Sequence, residues 1–275
     1  MLRRSSPHVH TQFCDARNTA EEMVTSALSR GFVSLGFSGH AKQDFHTFYT
    51  MDEERESAYL SEIHALRERF DGKIRIWLGM ERDFYAYASR EPYDYVIGSI
   101  HYVPCPDGSR FPVDASLSDV REAIRRHYKG DVLTFIKAYY TLLGTYIREF
   151  RPDIIGHFDL PAKNNQHCEL YDREEPLFFK AASEAMEEAI TGCRLMEVNT
   201  GGMARYGAKI PYPEMKLLKY WKALGGEVIL SSDCHRAESI NAGYEEAFFF
   251  IKAAGYRKAA ILGQQKNLIE WVEFT

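Results

Sequence analysis

Nearly every strand-like apolar run in this chain ends on an imidazole or a carboxylate. His40 closes VSLGFSGH, Glu81 closes IRIWLGME, His101 closes YDYVIGSIH, and His157 closes PDIIGHFD, with Asp159 two residues on. Asp233 and His235 close EVILSSDCH, and His8 and His10 follow the short stretch RRSSP. The runs lie near 33–38, 74–79, 95–100, 153–156, 194–199 and 227–231, with a shorter one before His8. Side chains at the carboxyl ends of successive parallel strands share one rim when the sheet closes into a barrel. A doubly wound open sheet gathers ligands mainly at one switch point. Ligand-type residues on nearly all strands therefore favour an α/β, TIM-like (β/α) barrel. About seven strands are legible, so an irregular barrel is expected.

Helical periodicity fills the intervals, as a parallel sheet requires. The first helix runs through NTAEEMVTSALSRG, capped by Asn18 or Thr19, with Glu21 or Glu22 in the matching third position and Gly31 at its end. Ala20, Met23, Val24, Ala27 and Leu28 share its inner face. A second helix over 52–70 turns Tyr59, Leu60, Ile63, Leu66 and Phe70 inward. Further helices fall at 117–128, 131–150, 174–191, 213–224 and 239–254. The 174–191 helix sets Leu177, Phe178, Ala181, Ala185, Met186 and Ala189 at helical spacing. No repeat or long linker interrupts the pattern, and the 275 residues read as a single domain over 1–275.

The formal charge of −5, with acids and bases interspersed, gives no basic stripe for nucleic acid. No segment carries the roughly twenty continuous apolar residues of a membrane span. MLRRSSPHVHTQF lacks an apolar signal-peptide core, and five irregularly spaced cysteines read as reduced thiols. The expected compartment is the cytoplasm.

His8 and His10 stand two apart, so in extended backbone both imidazoles face one way and can hold one metal. Taken alone they read more readily as two surface histidines near a terminus, and the strand-end pattern downstream is what favours a metal site. Glu81 offers two oxygens, enough to bridge two cations. Otherwise it is a rim partner of Arg82 or Arg75. Asp233 and His235 repeat the alternate spacing, against a reading as a helix cap and a surface histidine. His40, His101 and His157 are single residues, and a lone histidine is commonly a structural hydrogen-bonder. Asp15 reaches the site from the first loop or else caps the helix that follows. Cys14 and Cys234 are rival zinc ligands, here read as packing neighbours given the many N and O donors. His46, His64, His127 and His167 read as surface residues. No G-x-S-x-G elbow, P-loop or dinucleotide glycine motif is present.

HVHTQFCD, LGFSGH, LGMERDF, YDYVIGSIHY, IIGHFDL, EVNTGGMARYGAKIPYP and ILSSDCHR, in this order, resemble the polymerase and histidinol phosphatase (PHP) superfamily. Within it the chain is similar to the stand-alone histidinol-phosphatases. The resemblance covers residues 6 to about 236 and continues weakly to the end. It implies a distorted seven-stranded (β/α) barrel with two to three divalent ions (zinc, manganese or iron) at its rim. It assigns His8, His10, Glu81 and Asp233 to one metal, Glu81, His101 and His157 to a second, and His40, His235 and a first-loop donor to a third. Ser6 stands where the first motif commonly has an acid, and Ala16 where the loop donor is often a histidine, which leaves Asp15 as the substitute. The implied activity is hydrolysis of L-histidinol phosphate to L-histidinol and phosphate in histidine biosynthesis, by direct attack of a metal-bound hydroxide. Another small phosphate, of a sugar or nucleotide, is the alternative substrate, and a non-catalytic metal-binding barrel the alternative role.

In that scheme Asp233 or His235 manages a proton, or His40 if the third ion is absent. Arg205, in EVNTGGMARYG, is the first choice for a phosphate clamp, because guanidinium matches phosphate oxygens in a fork. A solvent-facing loop arginine is the bland alternative. Lys163 is the weaker candidate, and Asn199 either contacts substrate or fixes the turn. Glu81, Asp44, Tyr102 and Tyr206 are candidates for the imidazole and amine end.

Overall fold

The computed structural model describes residues 3–45 and 47–274. His46, expected on the surface, lies outside the described residues. All the legible strands form: β1 (Arg4–Ser6), β2 (Phe32–His40), β3 (Arg75–Asp83) and β4 (Tyr95–Ser99). A small hairpin of β5 (Tyr102–Pro104) and β6 (Arg110–Pro112) follows, then β7 (Ile154–Ile155), β8 (Leu195–Asn199) and β9 (Glu227–Ser231). The C-terminal β10 (Lys258–Leu262) and β11 (Ile269–Glu273) are additions that the sequence reading missed. Nine strands form one sheet in the order β1-β2-β3-β4-β7-β8-β9-β10-β11, parallel throughout except β11 against β10. The fold is thus mixed α/β with a mostly parallel sheet.

Just beyond β1 and β9 the segments that follow these two strands meet. Val9 and Cys234 form an isolated parallel bridge, with His10 N–H donating to Cys234 O at 2.9 Å and Cys234 N–H to His8 O at 3.3 Å. At the opposite end β10 reaches β1 and β2 through Leu262, whose N–H donates to Ser5 Oγ and whose carbonyl accepts from Ser34 Oγ. The strand interior is tightly filled. Tyr95 lies across Gly36 and Gly79, where an added Cβ would sit 2.2 Å from its side chain, so only glycine fits there.

The helices are α1 (Ala20–Ser29), α2 (Glu53–Arg69), α3 (Leu117–His127), α4 (Val132–Phe150), α5 (Pro176–Ala189), α6 (Gly201–Tyr206), α7 (Met215–Ala223) and α8 (Tyr244–Ala253). Thr19, not Asn18 or Asp15, caps α1, and Glu22 completes the capping box. Asp52, Ser116 and Asp131 cap α2, α3 and α4 with side-chain bonds of the same kind. Ala20, Met23, Val24 and Ala27 of α1 and Tyr59, Ile63 and Leu66 of α2 are buried as expected, while Leu28, Leu60 and Phe70 are half-buried. Leu177 lies in the first turn of α5, as its helical spacing implied, and is 49% exposed. His64 and His167 are exposed. His127 is half-buried, its Nδ1 3.0 Å from Asp107.

Candidate metal centre

Strand register sets the site. β2 and β3 pair with His40 directly beside Glu81, so the last residue of β2 and a residue two short of the end of β3 present an imidazole and a carboxylate together. Beyond β1 the chain bends at Pro7 and bridges at Val9, with His8 and His10 on either side wholly buried and their ring centroids 5.0 Å apart. Ser6 anchors this segment. Its Oγ lies 2.9 Å from Ser232 Oγ and accepts from Ser232 N–H at 3.0 Å, tying the first strand end to the last.

Glu81 is the hub. Its Oε1 lies 3.0 Å from His157 Nε2 and 3.7 Å from His101 Nε2. Its Oε2 lies 3.2 Å from His8 Nε2, 3.6 Å from His10 Nε2 and 3.0 Å from His40 Nδ1. Asp233 Oδ1 faces the first pair from the other side, 3.8 Å from His8 Nε2 and 3.3 Å from His10 Nε2. Asp15 Oδ2 lies 3.1 Å from His235 Nε2, and its Oδ1 3.5 Å from His10 Nδ1 and 3.8 Å from His40 Nε2. With α1 capped elsewhere, Asp15 belongs to this cluster. All nine residues expected as ligands converge. The grouping differs in detail: His10 also joins Asp15, His40 and His235, and His40 also joins Glu81 and His101.

Two buried carboxylates escaped the sequence reading. Glu197, in the middle of β8, lies 2.9 Å from His8 Nδ1 and accepts from His157 N–H, Asn199 Nδ2 and Ser231 Oγ. Asp83, two beyond Glu81, lies 3.2 Å from His101 Nδ1 and accepts from the His101 N–H. An ionised carboxylate only accepts, so each holds a proton on Nδ1. Burial is outweighed by Glu197 and Glu81 at His8, held well above its ordinary value, and by Glu81 and Asp83 at His101, raised to about 9. A ligating cation would therefore displace the proton on the opposite nitrogen.

The electrostatics follow from the crowding. Burial disfavours the ionised carboxyl of Glu81, but His40, His8 and His101 outweigh it and hold it well below the ordinary value. Asp233 is held low in the same way, with burial opposed chiefly by Arg205 and His8. Burial together with His235 and His40 pushes His10 down to about 3, so it is neutral. Asp233 itself sits at φ +45°, a left-handed conformation uncommon for a non-glycine residue.

The donor set fits a group of divalent ions. His8 Nε2, His10 Nε2 and Glu81 Oε2 are buried and make no hydrogen bond among the described residues. Unpaired buried polar atoms of this kind are costly unless a cation satisfies them. Cys14 and Cys234 stand aside. Burial raises both thiols to about 12; Cys14 Sγ lies 3.4 Å from His10 Nδ1, and Cys234 donates to Arg236 O.

A cavity of about 400 Å³ opens over the cluster, walled by Phe48, Tyr49, Tyr102, Asp114, Leu160, Arg205 and Tyr206. Asp44, considered for this wall, is not part of its lining. Arg205 Nη2 lies 2.7 Å from Asp233 Oδ2, and its Nη1 3.3 Å from the ring nitrogens of His235. Burial opposes its charge, but Asp233 more than compensates, so it stays protonated. Lys163 donates to the Asp114 carbonyl and lies 4.4 Å from the Tyr206 ring centroid, behind the wall. Asn199 is wholly buried, its amide spanning Glu197 and Asp233 while its Oδ1 accepts from Gly201 N–H. It fixes the turn and the two carboxylates; the substrate-contact alternative is the one the geometry disfavours.

Against known proteins, the PHP domain profile matches residues 6–201. The chain belongs to the PHP domain family. It is 27% identical over 261 residues to a protein of Deinococcus radiodurans named "Probable histidinol-phosphatase", covering 91% of this chain and 93% of that one. It is 25% identical over 283 residues to the histidinol-phosphatase of Lactococcus lactis, covering 96% of both. The crystal structure of histidinol phosphate phosphatase from Lactococcus lactis, complexed with zinc, L-histidinol and phosphate, superposes with a TM-score of 0.70 at 20% identity. The match covers 98% of this chain and all of that one. The fold is shared.

Proposed function

We propose that this chain is a metal-dependent phosphomonoesterase that hydrolyses L-histidinol phosphate to L-histidinol and phosphate, a step of histidine biosynthesis. The observation that carries the reading is Glu81. One buried carboxylate stands between the His8, His10 and His40 nitrogens on one oxygen and the His101 and His157 nitrogens on the other, beneath a cavity walled by Arg205. The four curated relatives are all named for this activity.

In this reading the strands make one distorted seven-stranded barrel over the whole chain, supported by the Val9–Cys234 bridge between first and last barrel strands. His8, His10, Glu81 and Asp233 would hold one divalent ion, Glu81, His101 and His157 a second, and Asp15, His40 and His235 a third. Zinc is favoured because the Lactococcus lactis structure contains it. When bound, such ions neutralise phosphoryl oxygens and make water nucleophilic near neutral pH.

The chain's own residues do the rest. Glu197 and Asp83 keep His8 and His101 in the ligating tautomer. Arg205 supplies a two-pronged donor to the phosphate, and its present partner Asp233 holds it at the cavity wall. Asp233 or His235, adjacent to that fork, would take the proton that the attacking water gives up and pass it to the ester oxygen as it leaves. Asp114 and the aromatic wall of Phe48, Tyr49, Tyr102 and Tyr206 suit a cationic, flat substrate end. The five cysteines are free, which suits the cytoplasm. The test is turnover across a phosphomonoester panel after loading with zinc, manganese or iron. L-histidinol phosphate should give the highest kcat/KM; a sugar or nucleotide phosphate that exceeds it would replace the substrate assignment.

A further inference from the structure

A second cavity of about 260 Å³ lies beside the first, with which it shares no lining residue among those described. One stretch of chain separates them: Arg205 and Tyr206 face the metal-ligand cavity, and Gly207 to Tyr212 face the second. Nothing in the proposed hydrolysis uses it.

Its polar wall is unbalanced. Asp159, 2% exposed, accepts from Glu214 N–H through Oδ2 at 2.9 Å, while its Oδ1 has no hydrogen-bond partner among the described residues. The buried Tyr212 hydroxyl is also without one. Glu214 brings a second carboxylate to the same wall. Arg173 answers it from within the lining, Nη1 to Oε2 at 3.7 Å, with its Nε and Nη2 spent on the Asn165 carbonyl at 3.0 and 2.8 Å, and Lys216 acts on it from outside the lining. Lys209 belongs to the lining but is exposed, where solvent screens its charge. The wall therefore sets two carboxyl groups against one distant guanidinium and the solvent-screened Lys209, and leaves the Asp159 Oδ1 acceptor without a donor among the described residues. A primary ammonium supplies three N–H donors and a positive charge in one atom.

We propose that this cavity is a second ligand site, which takes a small molecule bearing a primary ammonium, its nitrogen recognised by Asp159 Oδ1 and the Glu214 carboxylate. The site is separate from the metal centre and does not depend on the substrate assignment above.

The experiment is titration calorimetry of the metal-loaded enzyme with ethanolamine, in saturating inorganic phosphate to occupy the first cavity. Ethylene glycol, the same skeleton with oxygen for nitrogen, is the neutral control. Saturable binding of ethanolamine is expected, with ethylene glycol far weaker. Asp159→Asn and Glu214→Gln should each weaken it roughly tenfold or more, as expected for losing a charged hydrogen-bond partner. Ala162→Leu, which fills the cavity and leaves both carboxylates, should abolish it; this variant and Glu214→Gln carry the test if Asp159→Asn fails to fold. A space holding only water gives no saturable heat, and that result overturns the proposal. So does equal binding of ethylene glycol, displacement of ethanolamine by phosphate, or undiminished affinity in the folded variants.

Discussion

Glu197→Gln isolates a residue that touches neither cavity but controls a ligand. Four donors point at this carboxylate. His8 Nδ1 at 2.9 Å and Ser231 Oγ at 2.7 Å meet Oε2, and His157 N–H at 2.5 Å and Asn199 Nδ2 at 2.7 Å meet Oε1. Glutamine has one acceptor oxygen, so in either amide orientation its NH₂ faces two former donors. Orientation towards His157 and Asn199 loses two charge-assisted bonds, worth about 1.5–3 kcal/mol each. Orientation towards His8 is the cheaper choice, since imidazole can accept. That choice moves the imidazole proton to Nε2, the nitrogen that faces Glu81 and Asp233. The variant should therefore bind metal ~10–100-fold more weakly, the usual scale for losing a partner that orients a histidine ligand. Competition against a chromophoric chelator measures this, and kcat/KM at limiting metal should fall in parallel and recover with excess metal. Unchanged affinity in a folded variant would refute the assignment of Glu197 as the group that sets the His8 tautomer.

Three further outcomes are expected. Arg205→Lys keeps the charge but loses the fork, so its kcat/KM on histidinol phosphate should fall nearly as far as that of Arg205→Ala, with metal content normal in both; wild-type efficiency in Arg205→Ala would move the clamp elsewhere. Asp15→Ala should lose one metal by anomalous diffraction and leave melting of the metal-free protein within about 0.5 kcal/mol, because Thr19 caps α1; a loss of about 1 kcal/mol with all metals retained would mark Asp15 as a capping residue after all. Burial, and then Glu214, raises the Asp159 carboxyl from 3.8 to about 7, so the folded chain holds a proton that the unfolded chain has released. Stability from this proton is complete below 3.8 and is lost as pH rises through about 7. Asp159→Asn in the metal-free protein should thus become the more stable form across that window, by at most about 4 kcal/mol in denaturant titrations; a pH-independent difference would contradict it.

The ligands were legible because they end strands, where composition changes abruptly and a polar residue stands out against an apolar run. Glu197 and Asp83 were not, although the period of two places them on the ligand face: Glu197 two before Asn199, Asp83 two after Glu81. An acid inside EVN or ERD looks like ordinary strand polarity until the fold shows what it meets. Asp15 could not be settled from sequence because a loop aspartate before a helix suits a cap equally well; Thr19 took that role by virtue of Glu22. β10 and β11 were missed because KAAIL is short and alanine-rich, and β11 is only half-buried, with Trp271 and Glu273 exposed.

The central claim is that Glu81 bridges two ions. The direct measurement is metal content per chain, by mass spectrometry of buffer-exchanged protein, for wild type and Glu81→Gln alongside turnover. Gln keeps the shape and removes the charge that offsets cation repulsion. The account predicts more than one divalent ion per wild-type chain, and a Glu81→Gln variant depleted at two positions with activity lower by orders of magnitude. Full metal occupancy with near-normal turnover in Glu81→Gln would contradict it.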